Sequence, residues 1–277
     1  MKIWVFVFLA FLSACSQENE KTVLFSILAR NKAHVLPRYL KCIEKIDYDK
    51  KAITLYINTN NNEDATEEIL KEWVAANREK YREIIFDSHT IEDLQRTNPH
   101  EWTVQRFKTL GAIRNKSMQI AQEKECNYYF VVDCDNFIAP STLKTLMSKD
   151  KPIVAPMLWA IPENQDPYSN FFCAITENGY YKEHPEYWLI LHRIQEGTYK
   201  VPVVHCTYLI QSQYLDQLSY IDDSNDYEFI VFSRMAREKG IDQYICNEEN
   251  FGVLVHFYKD LDLSQEESIM KPFLAMP

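Results

Sequence analysis

The chain has only five glycines in 277 residues, and none falls in a Gly-x-Gly-x-x-Gly or Gly-x-x-x-x-Gly-Lys-Ser/Thr pattern. That excludes a dinucleotide fingerprint and a Walker-type loop, because each needs glycine to bring backbone amides against phosphate. Any nucleotide must be held differently. Basic runs are also missing. Asp and Glu number 40 against 30 Lys and Arg, for a formal net charge of −10. Such a surface has nothing to neutralise a phosphate backbone, so nucleic acid is not an expected partner. The seven cysteines (Cys15, Cys42, Cys126, Cys134, Cys173, Cys206 and Cys246) stand far apart with no Cys-x-x-Cys pair. This argues against a zinc site, and a chain of this length needs no disulfide framework. Most are expected to be buried small hydrophobes, with Cys134 partly exposed.

What is present begins with a core: 46% hydrophobic residues suffice for one large globular domain. At the amino terminus, Met1-Lys2 precedes an apolar run, residues 3–12, that is too short to span a bilayer. It reads as the charged and hydrophobic regions of a signal peptide. Leu12-Ser13-Ala14-Cys15 resembles a bacterial lipobox, which predicts a signal peptide over 1–14, lipidation of Cys15 as a membrane anchor, and a polar tether over 15–21. The mature protein is then exported, anchored as a lipoprotein or secreted.

From residue 22 the pattern is β-α. An apolar strand over 22–29 (TVLFSILA) precedes a helix over 37–46, and a second strand over 52–58 (AITLYIN) leads through Thr59-Asn60-Asn61-Asn62 into a helix ending at 77. Asp64 and Glu67 have capping-box spacing for that helix. A short strand over 83–86, a loop over 89–102 and a long amphipathic helix over 105–125 come next. Residues 128–132 then form a fourth strand, with a helix near 141–148 and a strand over 153–156 beyond it. The later segments 171–176, the Asn178-Gly179 turn and 201–210 suggest strands and hairpins, and a helix is predicted over 227–239. A nucleotide-type half, 22–156, is thus joined to a mixed half, 157–277, suited to an acceptor.

The fourth strand, Tyr128-Tyr129-Phe130-Val131-Val132, stops at Asp133-Cys134-Asp135. Open α/β sheets place ligands at the carboxyl ends of strands. Two carboxylates there suit a hard divalent cation, Mn²⁺ or Mg²⁺, which typically bridges substrate phosphates. An acidic pair also commonly just ends a strand or opens a turn. An EF-hand loop is excluded, since Phe137 and Ile138 stand where it needs an oxygen ligand and glycine.

Several segments together resemble the amino-terminal glycosyltransferase domain of procollagen galactosyltransferases and, more distantly, the glycosyltransferase domain of lysyl hydroxylases. They are Leu28-Ala29-Arg30-Asn31 with His34, Leu36 and Pro37, then Asp133 to Phe137, Ile153 to Met157, Tyr168 to Phe171, Val201 to His205, and Tyr244 to Asn247. The resemblance covers most of the chain after the leader. It implies an α/β GT-A fold, a mixed sheet with helices on both faces forming a single domain over 22–277. It also implies metal-dependent transfer of a hexose, galactose or glucose, from a UDP-sugar to a hydroxyl acceptor. Collagen as acceptor is not carried over. Where the family has paired acids before an Ile-Val-Phe segment, this chain has Tyr227-Glu228.

On this reading Asp133 and Asp135 hold the cation, with His256 completing the shell and Asp133 alternatively holding the ribose. Arg30 and Asn31 after the first strand, and Asn58, Thr59 and Asn60 after the second, face uracil and ribose, while each Asn equally suits a turn in which it binds nearby backbone. Arg114, in a segment similar to the Arg-Asn stretch of family 2 glycosyltransferases, reaches the donor; otherwise it is a solvated charge on a polar helix. Inversion needs a general base, for which Glu228 is the candidate and Asp226 the reserve. His205, amid apolar residues, is expected to be a buried hydrogen-bonded side chain. The rival is a catalytically silent carbohydrate- or protein-binding module on the same fold.

Overall fold

The computed structural model describes residues 20–92, 103–161 and 169–255. The leader, Cys15 and His256 lie outside the described residues, as does part of the loop expected over 89–102. Among the described residues no helix is long and apolar enough to cross a membrane.

The first half alternates as its patterning demands. Strands β1 (Val23–Ala29), β2 (Ile53–Asn60), β3 (Glu83–His89) and β4 (Tyr128–Val132) are separated by helices α1 (Leu36–Lys45), α2 (Thr66–Asn77) and α3 (Val104–Glu123). Pro37 lies in the first turn of α1, where a missing amide leaves no carbonyl unsatisfied. The side chain of Thr103 caps α3, accepting from Arg106 N at 3.2 Å. The capping box on α2 forms only in part. Asp64 accepts from Thr66 N at 3.0 Å, but Glu67 turns instead to Ser88 (2.7 Å) and Lys71 (2.6 Å). Both β2 and β3 outlast their apolar cores, because Asn58, Thr59 and Asn60 continue the parallel ladder opposite Asp87, Ser88 and His89. These three residues therefore end β2 instead of lying beyond it.

Past β4 the elements shorten. Strand β5 (Asn136–Ile138), helix α4 (Thr142–Ser148), β6 (Ile153–Pro156), β7 (Trp159–Ile161), β8 (Phe171–Phe172), β9 (Ala174–Ile175) and β10 (Tyr181–Lys182) come first. After them stand α5 (Pro185–Leu191), β11 (Thr198–Val201), β12 (Val203–Val204), β13 (Thr207–Gln211), α6 (Glu228–Glu238), β14 (Gln243–Cys246) and β15 (Gly252–Val255). Asn178-Gly179 lies in the β9–β10 turn, with Gly179 at φ +86°.

The main sheet runs β11-β14-β6-β13-β4-β1-β2-β3. Strands β3, β2, β1 and β4 are mutually parallel, while β13 inserts antiparallel between β4 and β6. Alternate residues of each strand serve opposite faces. Val23, Phe25 and Ile27 join a core with α1, α2 and α4, whereas Leu24, Tyr129 and Val131 join one with α3, α5 and α6. Burial on both faces explains why the strands read as unbroken apolar runs.

A small second sheet, β5-β15-β7, carries the chain away from the acidic turn after β4. Gly252 opens β15 at φ +137°, and a Cβ there would stand 2.0 Å from the Phe137 carbonyl oxygen and 2.9 Å from Ile138 Cα. Gly252→Ala should therefore lose about 2 kcal/mol or more in urea unfolding, from strain plus overlap. Gly240→Ala, at φ +70° with open space around it, should lose only about 1 kcal/mol. Equal losses would contradict the close approach at Gly252.

Candidate active site

The acidic turn is built by its neighbours. Asp133 donates its N–H to Cys206 O (3.2 Å), Asn136 donates to Asp133 O (2.9 Å), and Val255 donates to Asp135 O (2.8 Å). The side chains of Asp133 and Asp135 keep 25% and 30% exposure at the carboxyl end of β4, as the strand pattern implied. Cys134 between them is buried, not partly exposed: its thiol donates to Leu28 O at 3.0 Å. A turn that leaves both carboxylates outward must turn the middle side chain in. Tyr39 braces β4 from beneath through Val132 O (2.8 Å).

Each carboxylate has a cation. Lys32 Nζ lies 2.7 Å from Asp135 Oδ2, and Arg114 Nη2 lies 2.8 Å from Asp133 Oδ1. Arg114 is not a solvated charge on a polar helix. It sits on the buried stripe Phe107, Gly111, Arg114, Met118 and Ala121 of α3, and its side chain is 7% exposed. Helix α3 gets that close partly through Gly111, where a Cβ would meet Tyr220 O at 2.7 Å. Asn115 holds the same segment, accepting from Tyr220 N at 2.9 Å. The Arg114 guanidinium lies 5.8 Å from the Tyr220 ring centroid. Burial opposes its charge, yet Asp133 and the other acidic groups around it keep it firmly protonated.

Arg114 has a second carboxylate. Its Nε stands 3.8 Å from Glu228 Oε1, and Glu228, the first residue of α6, is 8% exposed. Neither Glu228 Oε2 nor Arg114 Nη1 has a hydrogen-bond partner among the described residues. Buried polar atoms without partners are costly in a folded core, and they mark where a ligand atom can bond. Burial raises the Glu228 pKa above the ordinary carboxylate range, with Arg114 opposing the rise. Burial likewise raises that of Asp133, against the pull of Arg114. Aromatic rings frame the start of α6: Phe107 lies 4.2 Å from Tyr227, and His205 lies 5.0 Å from Phe229, centroid to centroid. Asp226 is turned elsewhere, to Arg234 (2.8 Å) and Tyr180 (2.7 Å). Despite partial burial those bonds lower its pKa, which leaves a weak base.

At the carboxyl ends of β1 to β3 the expected donor residues are already engaged with one another. Asn58 donates to Asp87 Oδ2 (3.2 Å), Thr59 accepts from Asn62 Nδ2 (2.6 Å), and Asn60 donates to Asn58 Oδ1 (3.4 Å). All three are buried. Asn31, at φ +53°, accepts from Glu63 N (2.8 Å) and joins the loops after β1 and β2. Arg30 beside it is half-buried. Asp87, which sequence reasoning passed over, presents a carboxylate 40% exposed at this edge, bonded to Tyr56 (2.9 Å). Lys32 was missed too. Its only signal was its place in the loop after a strand neighbouring β4. His205 is buried as expected, its Nδ1 2.9 Å from Cys206 Sγ.

Two carboxylates with open faces suit a hard cation that also takes phosphate oxygens from a ligand. Among the described residues no group of three or more His, Cys, Asp and Glu could hold a metal ion. The donor set therefore fits a cation shared with a substrate better than one caged by protein.

Comparison with known proteins bears on the site as a whole. Residues 20–271 match the family model of the glycosyltransferase family 25 N-terminal domain. The chain is 36% identical over 247 residues to human procollagen galactosyltransferase 2, covering 84% of this chain and 38% of that protein. It is also 33% identical over 244 residues to human inactive glycosyltransferase 25 family member 3, covering 84% of this chain and 40% of that one. The chain thus spans about two fifths of the length of the curated relatives it matches. Among solved structures, S. aureus TarS 1-349 in complex with UDP-GlcNAc superposes at TM-score 0.56 with 13% identity, covering 91% of this chain and 71% of that one. GalNAc-T7 with UDP, GalNAc and Mn²⁺ superposes at 0.55 with 16% identity, covering 87% and 44%.

The raised pKa of Glu228 has a measurable consequence. Because its folded value lies above its unfolded one, its stabilising contribution is complete below the ordinary carboxylate pKa and disappears as pH rises through the folded value. Above that range the wild type buries a charge that an amide would not carry. Glu228→Gln should therefore be at least as stable as wild type at pH 7, and its advantage should shrink steadily toward pH 4 in thermal or urea melts. An advantage that grows on acidification would contradict the assignment.

Proposed function

The chain belongs to the family of the glycosyltransferase family 25 N-terminal domain and has a GT-A glycosyltransferase fold, and from that premise we propose that it transfers a hexose, galactose or glucose, from a UDP-sugar to a hydroxyl acceptor with inversion. The observation that carries this reading is Arg114, held between an outward-facing acidic pair and the buried Glu228 carboxylate, whose other oxygen, Oε2, has no hydrogen-bond partner among the described residues. Leaving-group and base functions stand on either side of one fixed guanidinium.

Each residue has a task. Asp133 and Asp135 would hold a divalent cation, Mn²⁺ or Mg²⁺, which when bound neutralises the charge on a departing diphosphate. His256 would be a further ligand of that cation. Glu228 Oε2 accepts the proton of the acceptor hydroxyl, and burial brings its pKa toward the working pH, where a general base is most effective. Arg114 keeps the opposite oxygen of Glu228 oriented and holds the local charge balanced as the proton arrives. Asp226, engaged with Arg234, serves better to fix the loop before α6 than to take a proton. At the other end of the site, uracil offers an N–H between two carbonyls. Asp87 can accept from the first, while Arg30 and the amide groups of Asn31, Asn58 and Asn60, with Thr59, can meet the carbonyls and ribose if the donor displaces some of their internal bonds.

A binding module without turnover is the second reading. One observation favours it: relatives at 32–33% identity carry the name inactive glycosyltransferase 25 family member 3. The acceptor itself is left to experiment.

Calorimetry tests the proposal. UDP should bind weakly in chelator and more tightly with Mn²⁺, because two carboxylates cannot hold a diphosphate without a cation between them. Asp135→Asn should keep its fold and lose that enhancement, since a neutral amide of equal size supplies no charge. If Asp135 only shaped the turn, asparagine would serve nearly as well. Equal UDP affinity in chelator and in Mn²⁺ for the wild type would overturn the metal assignment.

A further inference from the structure

We propose that Lys32 is a built-in counter-cation of the acidic pair, which keeps metal affinity low until the donor arrives. The inference rests on the reading of Asp133 and Asp135 as cation ligands. The Lys32 ammonium contacts Asp135 Oδ2 at 2.7 Å and so occupies one side of a carboxylate proposed to hold the divalent ion. Both side chains are about 30% exposed, so the contact is partly shielded from solvent. Burial opposes the ammonium charge, but Asp135 outweighs it, and the pKa of Lys32 is raised.

The backbone that delivers Lys32 is fixed. Three successive residues of the loop after β1 donate their N–H groups to side chains of the loop after β2 and the first residue of α2: Asn31 to Asn62 Oδ1 (3.0 Å), Lys32 to Thr66 Oγ1 (2.7 Å) and Ala33 to Asp64 Oδ2 (3.1 Å). Asn31 adopts φ +53°, a left-handed turn that asparagine tolerates well. The loop is therefore anchored, while the lysine stem beyond Cα has four rotatable carbons.

Charge balance sets the metal affinity. Without ligand, Asp133 is paired with Arg114 and Asp135 with Lys32, two carboxylates against two cations. A divalent ion entering this balanced site must displace or crowd a positive charge. Arg114 is buried on α3 and cannot move aside, whereas Lys32 can swing. A donor diphosphate changes the balance by bringing negative charge, which gives the ammonium a new partner and frees Asp135 for the metal. Metal and donor then favour each other's binding, as any two linked ligands must do reciprocally.

The test is Mn²⁺ binding, monitored by electron paramagnetic resonance of the free ion, with and without UDP. Lys32→Met keeps the stem and removes the charge. Without UDP it should bind Mn²⁺ roughly tenfold more tightly than wild type, while Lys32→Arg should bind as weakly as wild type. UDP should strengthen Mn²⁺ binding by a larger factor in wild type than in Lys32→Met. An Mn²⁺ affinity in UDP-free Lys32→Met equal to or weaker than that of wild type overturns the proposal and leaves the metal reading standing. If the wild type binds no Mn²⁺ even with UDP, the metal reading fails and this inference fails with it. Full wild-type turnover in chelator, lost in Lys32→Met, would overturn competition in favour of an ammonium that replaces the metal.

Discussion

A single buried guanidinium organises the chemistry of this molecule. Arg114 bonds Asp133 at 2.8 Å and lies 3.8 Å from Glu228, so the end of β4 and the start of α6 are held together through one side chain on α3. A charge so deeply buried is tolerable only if it is paired, and Asp133, at hydrogen-bond distance, is the partner whose removal would be strongly destabilising. Fold and site are thereby coupled. The sheet cannot relax around Asp133 without leaving an uncompensated charge in the core.

The surrounding packing serves the same end. Gly111 lets α3 close on the segment near Tyr220, and Gly252 lets β15 close on β5, so both walls of the site depend on a missing Cβ. Buried amides clamp the chain where regular ladders stop. Asn170 donates to Pro156 O (2.9 Å) and accepts from Leu158 N (3.0 Å), while Asn247 donates to Ile190 O (2.8 Å) and Gln195 O (2.7 Å). Two of the motif segments that carry the family resemblance thus contribute an architectural asparagine. Residues that hold the frame and residues that do chemistry share the same motifs, and only geometry separates them.

Much of this was readable from residues alone. Strands β1, β2 and β4 announce themselves because burial on both faces makes them unbroken apolar runs, and the acids after Val132 mark the end where ligands gather. Other features carry no periodic signal. Strands β5 and β7 have three residues each and exist because β15 pairs with both, a long-range contact that local patterning cannot show. Arg114 reads as a surface charge by residue type, although Phe107, Gly111, Met118 and Ala121 at helical spacing place it on the buried stripe. The side chains of Asn58, Thr59 and Asn60 looked free for a ligand, but β2 extends through them and they cross-link the strand ends. Lys32 is marked only by its place in the loop after β1, since its partner Asp135 is 103 positions away.

The central claim is turnover: that this site breaks the bond between a hexose and UDP instead of merely holding the donor. Incubating the full chain with UDP-galactose and UDP-glucose in Mn²⁺, and measuring UDP release together with product mass, tests it most directly. The account predicts UDP release from at least one donor, by hydrolysis or transfer, and its loss in a Glu228→Gln protein that still binds UDP. A wild type that binds UDP and Mn²⁺ but releases no sugar from any UDP-sugar would contradict it and identify the protein as a binding module on a glycosyltransferase fold.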